Sequence, residues 1–258
     1  MRSFLSLLFL GLGCQALTLQ RAVKEAPLSC NPSVLSCHVT GAVDACCSPT
    51  YGQVVFTLQW VPGYGPANEF TIHGNCKEND SLISTNSAGG RAPSNGCDAK
   101  RASNTVATIV RDRDPELYRL MQAYWPSYKD DNNWFWSHEW TKHGTCVSTL
   151  RPVCYGNYTQ YDDVLEYFHQ AMDLHHDYDI YGALNLAGVI PGNTYNYKTF
   201  LDAIQKTYGG KVKLDCDRNG QLQEIGLYFH VAGRDRYQIT DADHTGTCKG
   251  AVYYPKKY

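Results

Sequence analysis

The sequence predicts an α+β domain: a central antiparallel β-sheet with flanking helices, held as one disulfide-stapled unit. Three observations point there. Strand-like and helix-like stretches are intermixed, with no regular strand-helix alternation and no Gly-rich phosphate loop, which disfavours a doubly wound sheet. Among 258 residues, 43% apolar and 12% aromatic supply a substantial core, while 19 Tyr, 22 Gly and only 19% charged residues do not suit a helical bundle or coiled coil. Eleven cysteines are present, and setting aside Cys14 in the leader leaves an even ten. In a secreted chain that number reads as five disulfides.

The elements follow in order. Residues 1–16 carry Arg2, the apolar run Phe4–Leu10 and the small-residue site Cys14-Gln15-Ala16. This is the layout of a secretory signal peptide, because the run is well short of the ~20 apolar residues of a membrane span. Residues 17–27 read as a short propeptide or N-terminal tail, and 28–258 as one domain without repeats or linker. Val54–Trp60 is a β-rich run, ended by the turn-forming Pro62–Pro66 and followed by the short run Phe70–His73. Asn75–Asp98 is Asn/Ser/Gly-rich and reads as a long loop.

A helix is expected over Pro115–Tyr124, with Pro at its first position and Pro126 beyond its end. Two more are expected over Trp134–Val147 and Tyr161–His175, the latter from the helical recurrence of Val164, Leu165, Phe168, Ala171 and Met172. Near the C-terminus, Ile225, Leu227, Phe229 and Val231 alternate as a strand, with Lys211–Cys216 and Gly250–Tyr254 as partners.

Charge narrows the function. Loss of Arg2 with the leader leaves 22 basic against 25 acidic residues, a formal charge of −3, so the chain is not a polycation that grips duplex DNA. Protonation of all nine histidines near pH 5 would move the total to about +6, which keeps a polyanionic substrate open in acid. Zinc is disfavoured because no CxxC pair occurs and vicinal Cys46-Cys47 lacks ligand spacing. The sequons at Asn79 and Asn157 are candidate glycosylation sites and fit a secretory compartment.

Chemistry concentrates in Trp134–Cys146, where His138, Glu139, Lys142 and His143 fall within six residues. On a helix Glu139 and His143 lie ~40° apart one turn along, and His138 and Lys142 form the same pair rotated by one residue. His138-Glu139 begins like the HExxH zinc motif, but the second His is at i+5, ~140° around the helix, and cannot share a metal with the first. A solvated face would not be interleaved with Trp134, Phe135, Trp136 and Trp140, so a cleft wall is the better reading. His73, ending a β run before Gly74, offers the second histidine that acid–base chemistry requires.

Ile72-His73-Gly74 and Trp136–Cys146 together resemble the two signature segments of the ribonuclease T2 family of secreted acid endoribonucleases, most closely fungal members. The likeness extends across Cys46–Pro49, Leu58–Trp60 with Pro62–Pro66, Tyr124–Ser127 and Asp215-Cys216. It implies the pairings Cys30–Cys47, Cys37–Cys76, Cys46–Cys154, Cys97–Cys146 and Cys216–Cys248. It implies His143 as general base and His73 as general acid, Glu139 and Lys142 polarising and neutralising the phosphoryl oxygens, and His138 holding the phosphate. One base site is implied beside Gln59, Pro126, Ser127 and Phe135, although Tyr128 and Lys129 depart from the fungal pattern. An RNA substrate, no cofactor or metal, a monomer, low base specificity and a secreted or vacuolar location complete the expectation.

The other base site depends on a Leu-Trp-Pro after His-Gly, where Asn75-Cys76 stands here. Residues Asn75–Arg91 look foreign to the family, and two origins are open. One is a divergent loop in which Cys76 still pairs with Cys37; the other, preferred, is translated intron, since the segment is polar where a base must stack. The altered motif also motivates a rival reading, a secreted RNA-binding or cytotoxic protein of the same fold with impaired turnover. Hydrolysis of another phosphodiester is a third.

Overall fold

Leu222–Ala232 alternates inward and outward side chains over eleven residues, long enough to serve three neighbouring strands at once. In the computed structural model, which describes residues 30–31, 33–38, 41–42, 44–73 and 92–258, this strand is the middle of the sheet. Along the described chain the elements are β1 (Gln53–Gln59), β2 (Thr71–Ile72), α1 (Val106–Arg113), α2 (Pro115–Tyr124), α3 (Asn132–Lys142), α4 (Asp162–Asp177) and α5 (Ile180–Leu186). They continue as β3 (Asn193–Asn196), α6 (Tyr197–Tyr208), β4 (Lys213–Cys216), β5 (Leu222–Ala232), β6 (Arg236–Thr240) and β7 (Ala251–Tyr254).

Every pairing in the sheet is antiparallel. β1 runs along one edge of β5 from Gln53↔His230 to Gln59↔Glu224, and β2 adds outside β1 with Leu58↔Ile72 and Gln59↔Thr71. The other edge of β5 is divided between β4 (Asp215↔Glu224) and β6 (Phe229↔Ile239). β3 and β7 form a separate two-stranded ribbon. The expected central antiparallel sheet with flanking helices is therefore present.

The period of two sorts this sheet into faces. Val54, Phe56 and Leu58 stand opposite Phe229, Leu227 and Ile225, with Ile72 beside them, and all are buried in one core with Leu117 and Met121 of α2 and Val164, Phe168 and Ala171 of α4. Burial of each large side chain contributes about 1.5–3 kcal/mol. The alternate positions, Thr57, Gln59, Thr71 and Glu224, put polar groups on the opposite face at the β2 end.

α2 spans Pro115–Tyr124 as expected, capped by Asp114, whose carboxylate accepts from Leu117 N at 2.9 Å. α3 is shorter than the expected Trp134–Val147 and starts two residues earlier, because Asp131 caps it by accepting from Trp134 N at 2.8 Å. It stops at Lys142: His143 is its C-cap and Gly144–Cys146 turns into a 3-10 segment. Gly144 lies so tightly on Trp140 that an added Cβ would come 2.2 Å from the indole, so only glycine fits there. α4 begins after Tyr161, which sits at φ 72, and runs to Asp177 rather than His175. The helices α1, α5 and α6 and the strands β3 and β6 were not expected from the sequence.

Cys30–Cys47, Cys46–Cys154, Cys97–Cys146 and Cys216–Cys248 are joined as the resemblance implied. The expected partner of Cys37, Cys76, lies outside the described residues, as do the signal and tail segments, Asn79 and the whole of the Asn75–Arg91 stretch. Among the described residues no helix is long and apolar enough to cross a membrane, and no cluster of three His, Cys, Asp or Glu could hold a metal ion.

Cys97–Cys146 closes a separation of 49 residues directly behind α3, where Cys97 N also donates to Thr145 Oγ1 at 3.0 Å. Replacing both cysteines by serine should destabilise the fold by about 2–4 kcal/mol. Chemical denaturation of the double variant measures this, and an unchanged midpoint would contradict it.

Candidate active site

Four-residue steps divide α3 into four rows of side chains, three of which carry the aromatic and ionic residues. Trp136 and Trp140 are fully buried; Trp136 Nε1 donates to Trp125 O at 2.8 Å and Trp140 Nε1 to Arg101 O at 2.7 Å. The next row is Phe135, Glu139 and His143, of which Glu139 is 1% exposed and His143 half-buried. The third is Trp134, His138 and Lys142, of which Trp134 is exposed and the other two half-buried. The aromatic interleaving thus anchors the helix so that one strip of it can be ionic.

His73 arrives from the sheet. Its N–H donates to Thr57 O at 2.9 Å, extending the β1–β2 ladder by one residue, and its carbonyl accepts from Trp125 Nε1 at 3.1 Å. The imidazole is 3% exposed, and its Nδ1 lies 2.6 Å from Glu224 Oε1. Glu224 reaches it across β1, since Gln59, opposite Glu224, is also opposite Thr71, two residues before His73. The sequence reading missed Glu224. Its signal was an acid inside a strand of alternating apolar residues, and only the sheet register reveals what that acid faces.

The two histidines occupy different electrostatic surroundings. The His143 imidazole is pushed down from 6.5 to about 3, first by burial and then by the positive charges of His138, Lys142 and His73. That influence brings His73, on the sheet, into the same site as the helix cluster. His138 is also lowered, by burial and then by Lys142. Glu139 lies near the buried Tyr167, whose hydroxyl is driven well above its ordinary range by burial first and by the Glu139 charge second.

The residues expected to contact bases lie at the same end of the molecule. Gln59 is buried, with Nε2 donating to Ile72 O at 3.2 Å, one residue from His73. Pro126 and Ser127 follow Trp125; Ser127 is buried, with its N–H on Asn132 Oδ1 at 2.7 Å and its Oγ accepting from Lys129 N at 3.2 Å. Phe135 is 1% exposed and meets Trp125 edge to face. Asn157 lies exposed in a turn. The arrangement unites a neutral imidazole, a carboxylate-backed imidazole, a buried acid, a third imidazole and a lysine: the equipment for moving two protons across a phosphoryl group.

A family model described as the Ribonuclease T2 family matches residues 43–241. Ribonuclease Rh of Rhizopus niveus is 48% identical over 229 residues, covering 89% of this chain and 93% of that protein. Ribonuclease T2 of Aspergillus oryzae is 32% identical over 245 residues, covering 91% and 83%. Among solved structures, Actibind, described as a T2 ribonuclease, superposes with a TM-score of 0.79 at 32% identity, covering 88% of this chain and 96% of that one. Human RNase T2 shares the fold, with a TM-score of 0.57 at 23% identity and coverage of 80% and 98%.

The depressed His143 makes the folded chain bind fewer protons than the unfolded one between about pH 3 and 6.5, so this group lowers stability as pH falls through that window. NMR titration of the imidazole should find it still neutral at pH 4.5, and Lys142→Ala should raise its midpoint by removing a neighbouring positive charge. A wild-type midpoint near 6.5 would contradict the assignment.

Proposed function

The chain belongs to the ribonuclease T2 family and is an RNA endonuclease, and from that premise we propose that it cleaves single-stranded RNA by transesterification through the ribose 2′-OH. RNA brings its own nucleophile, so the reaction needs a base, an acid and charge stabilisation, with no metal or covalent enzyme intermediate. His143, kept neutral by its surroundings, takes the 2′-OH proton. The oxygen attacks phosphorus, and Lys142, His138 and Glu139 hold the phosphorane oxygens. His73 donates its proton to the departing 5′-oxygen, leaving a 2′,3′-cyclic phosphate. Water then opens the cycle to a 3′-phosphate with the two histidines exchanging roles.

The observation that carries this reading is the contrast between the imidazoles: one is pressed toward its neutral form, the other has a carboxylate 2.6 Å from Nδ1. That carboxylate sits beside Nδ1 and stabilises the imidazolium, which leaves Nε2 to present the mobile proton. Glu224 is therefore a positioning residue for the acid. Gln59, Pro126, Ser127 and Phe135 form one base site of low specificity. The leader-like residues 1–16, the disulfides and the exposed sequon at Asn157 support a secreted, glycosylated protein.

Incubation with homopolymer RNAs and with DNA, with and without EDTA, across pH 4 to 8 tests the chemistry. RNA cleavage should survive the chelator, leave cyclic phosphate ends and peak in acid; cleavage of DNA, which lacks the 2′-OH, or loss of activity in EDTA would sink the reading.

Variants separate the roles. His143→Phe should remove transesterification almost wholly, whereas Lys142→Ala should retain measurable activity, because charge on the phosphorane is supportive and a base is required. Glu224→Gln should move the alkaline limb of the kcat/KM profile to lower pH, since the imidazolium loses its counter-charge. Equal residual rates for the first two, or an unmoved alkaline limb for the third, would refute the assignments.

A further inference from the structure

Five tryptophans occur in the chain, and four of them, Trp60, Trp125, Trp136 and Trp140, are at most 1% exposed. Trp134 is 47% exposed. Isolated exposed aromatics are ordinary, so exposure alone argues nothing. Three further features set this indole apart.

First, its position is built. Asp131 accepts from Trp134 N and fixes the first turn of α3, while the preceding turn is held by Asn132 Oδ1 on Ser127 N at 2.7 Å and by Tyr64 Oη donating to Tyr128 O at 2.9 Å. Second, the indole lies nearly parallel to the His138 imidazole, with centroids 5.3 Å apart and planes at 25°. It heads the row that continues through His138 to Lys142, about 6 Å beyond the histidine along the helix axis. Third, the exposed Lys129 brings its Nζ 5.5 Å from the centroid of Trp134 and 5.5 Å from that of Tyr128. A flat apolar ring, in line with His138 and Lys142 and with the Lys129 ammonium over it, is the combination that binds single-stranded nucleic acid.

We infer that Trp134, with Lys129, forms a stacking platform for a nucleobase of the RNA strand outside the reacting pair of nucleotides. The base displaces the Lys129 ammonium from the indole and lies on the part that His138 leaves uncovered, and the exposed lysine turns to pair with that nucleotide's phosphate. Stacking is tolerant of base identity because every base has a π-face, so the platform rewards strand length more than sequence. It differs from the base site of Gln59, Pro126, Ser127 and Phe135, whose only large aromatic ring is buried. The inference rests on the RNA endonuclease reading and extends it to longer substrates.

The test compares a dinucleoside monophosphate with a hexanucleotide. In the wild type, lengthening the substrate should lower KM; Trp134→Ala should erase that gain by roughly 5- to 100-fold, and Trp134→Phe should restore most of it. Trp134→Ala with the full length gain, or an equal loss on both substrates pointing to a role through His138 alone, would overturn the platform. Because the other four tryptophans are buried, quenching of intrinsic fluorescence by a hexadeoxynucleotide, which cannot be cleaved, should occur in the wild type and vanish in Trp134→Phe. Quenching that persists in Trp134→Phe would also overturn it. Quenching confined to Trp134 in a protein that cleaves no RNA would uphold the platform and defeat the endonuclease reading instead.

Discussion

Two buried indole N–H bonds couple the helix of this site to its sheet. Trp136 on α3 donates to the carbonyl of Trp125, and Trp125 donates to the carbonyl of His73. His143 and its neighbours His138 and Lys142 are thereby referenced, through two residues, to the backbone of His73. Each bond contributes only about 1 kcal/mol net, yet leaving one of these buried groups unpaired costs about 1–3 kcal/mol, so the chain of contacts tolerates no slack. Placement matters more than energy here, because a misplacement of about 1 Å can cost ~100-fold in rate. The tryptophans of the ionic segment are the means by which the ions are aimed.

The same side-chain type meets opposite surroundings on helix and on sheet. His143 ends a helix beside Lys142 and His138, and burial with like charge opposes its protonation. His73 lies on the polar face of the sheet, where the register opposes Gln59 to Glu224 and so brings a carboxylate to its ring. The proposed division of labour rests on environment, a general route to acid and base from one residue type.

Much of this was legible in advance for reasons that can be named. α2 announced itself through Asp114, Pro115 and the apolar row that follows, all local signals. The ionic residues of α3 could be grouped because a helix maps sequence spacing onto direction. The end of α3 was misjudged since the stop comes from Gly144 fitting beneath Trp140, a contact that no spacing reveals. α6 carried an Asn196 cap and a Gly209 terminus that were readable but went unread, and α1 has only eight residues in which to show a period. Glu224 was invisible in principle: its partner stands 151 residues earlier, and the link exists only once two strands have been registered against β1.

The central place of β5 also orders events in time. β1 leaves the ribosome early, yet the strand that covers its whole length begins at Leu222, more than 160 residues later. Until then β1 has only the two residues of β2 to pair with, and its apolar face lacks the opposing Ile225, Leu227 and Phe229. Such long-range pairing is slow to form and leaves strand edges open meanwhile. The sheet is thus completed near the end of synthesis, and the nascent chain must keep a nearly unpaired, hydrophobic strand from other chains for most of that interval.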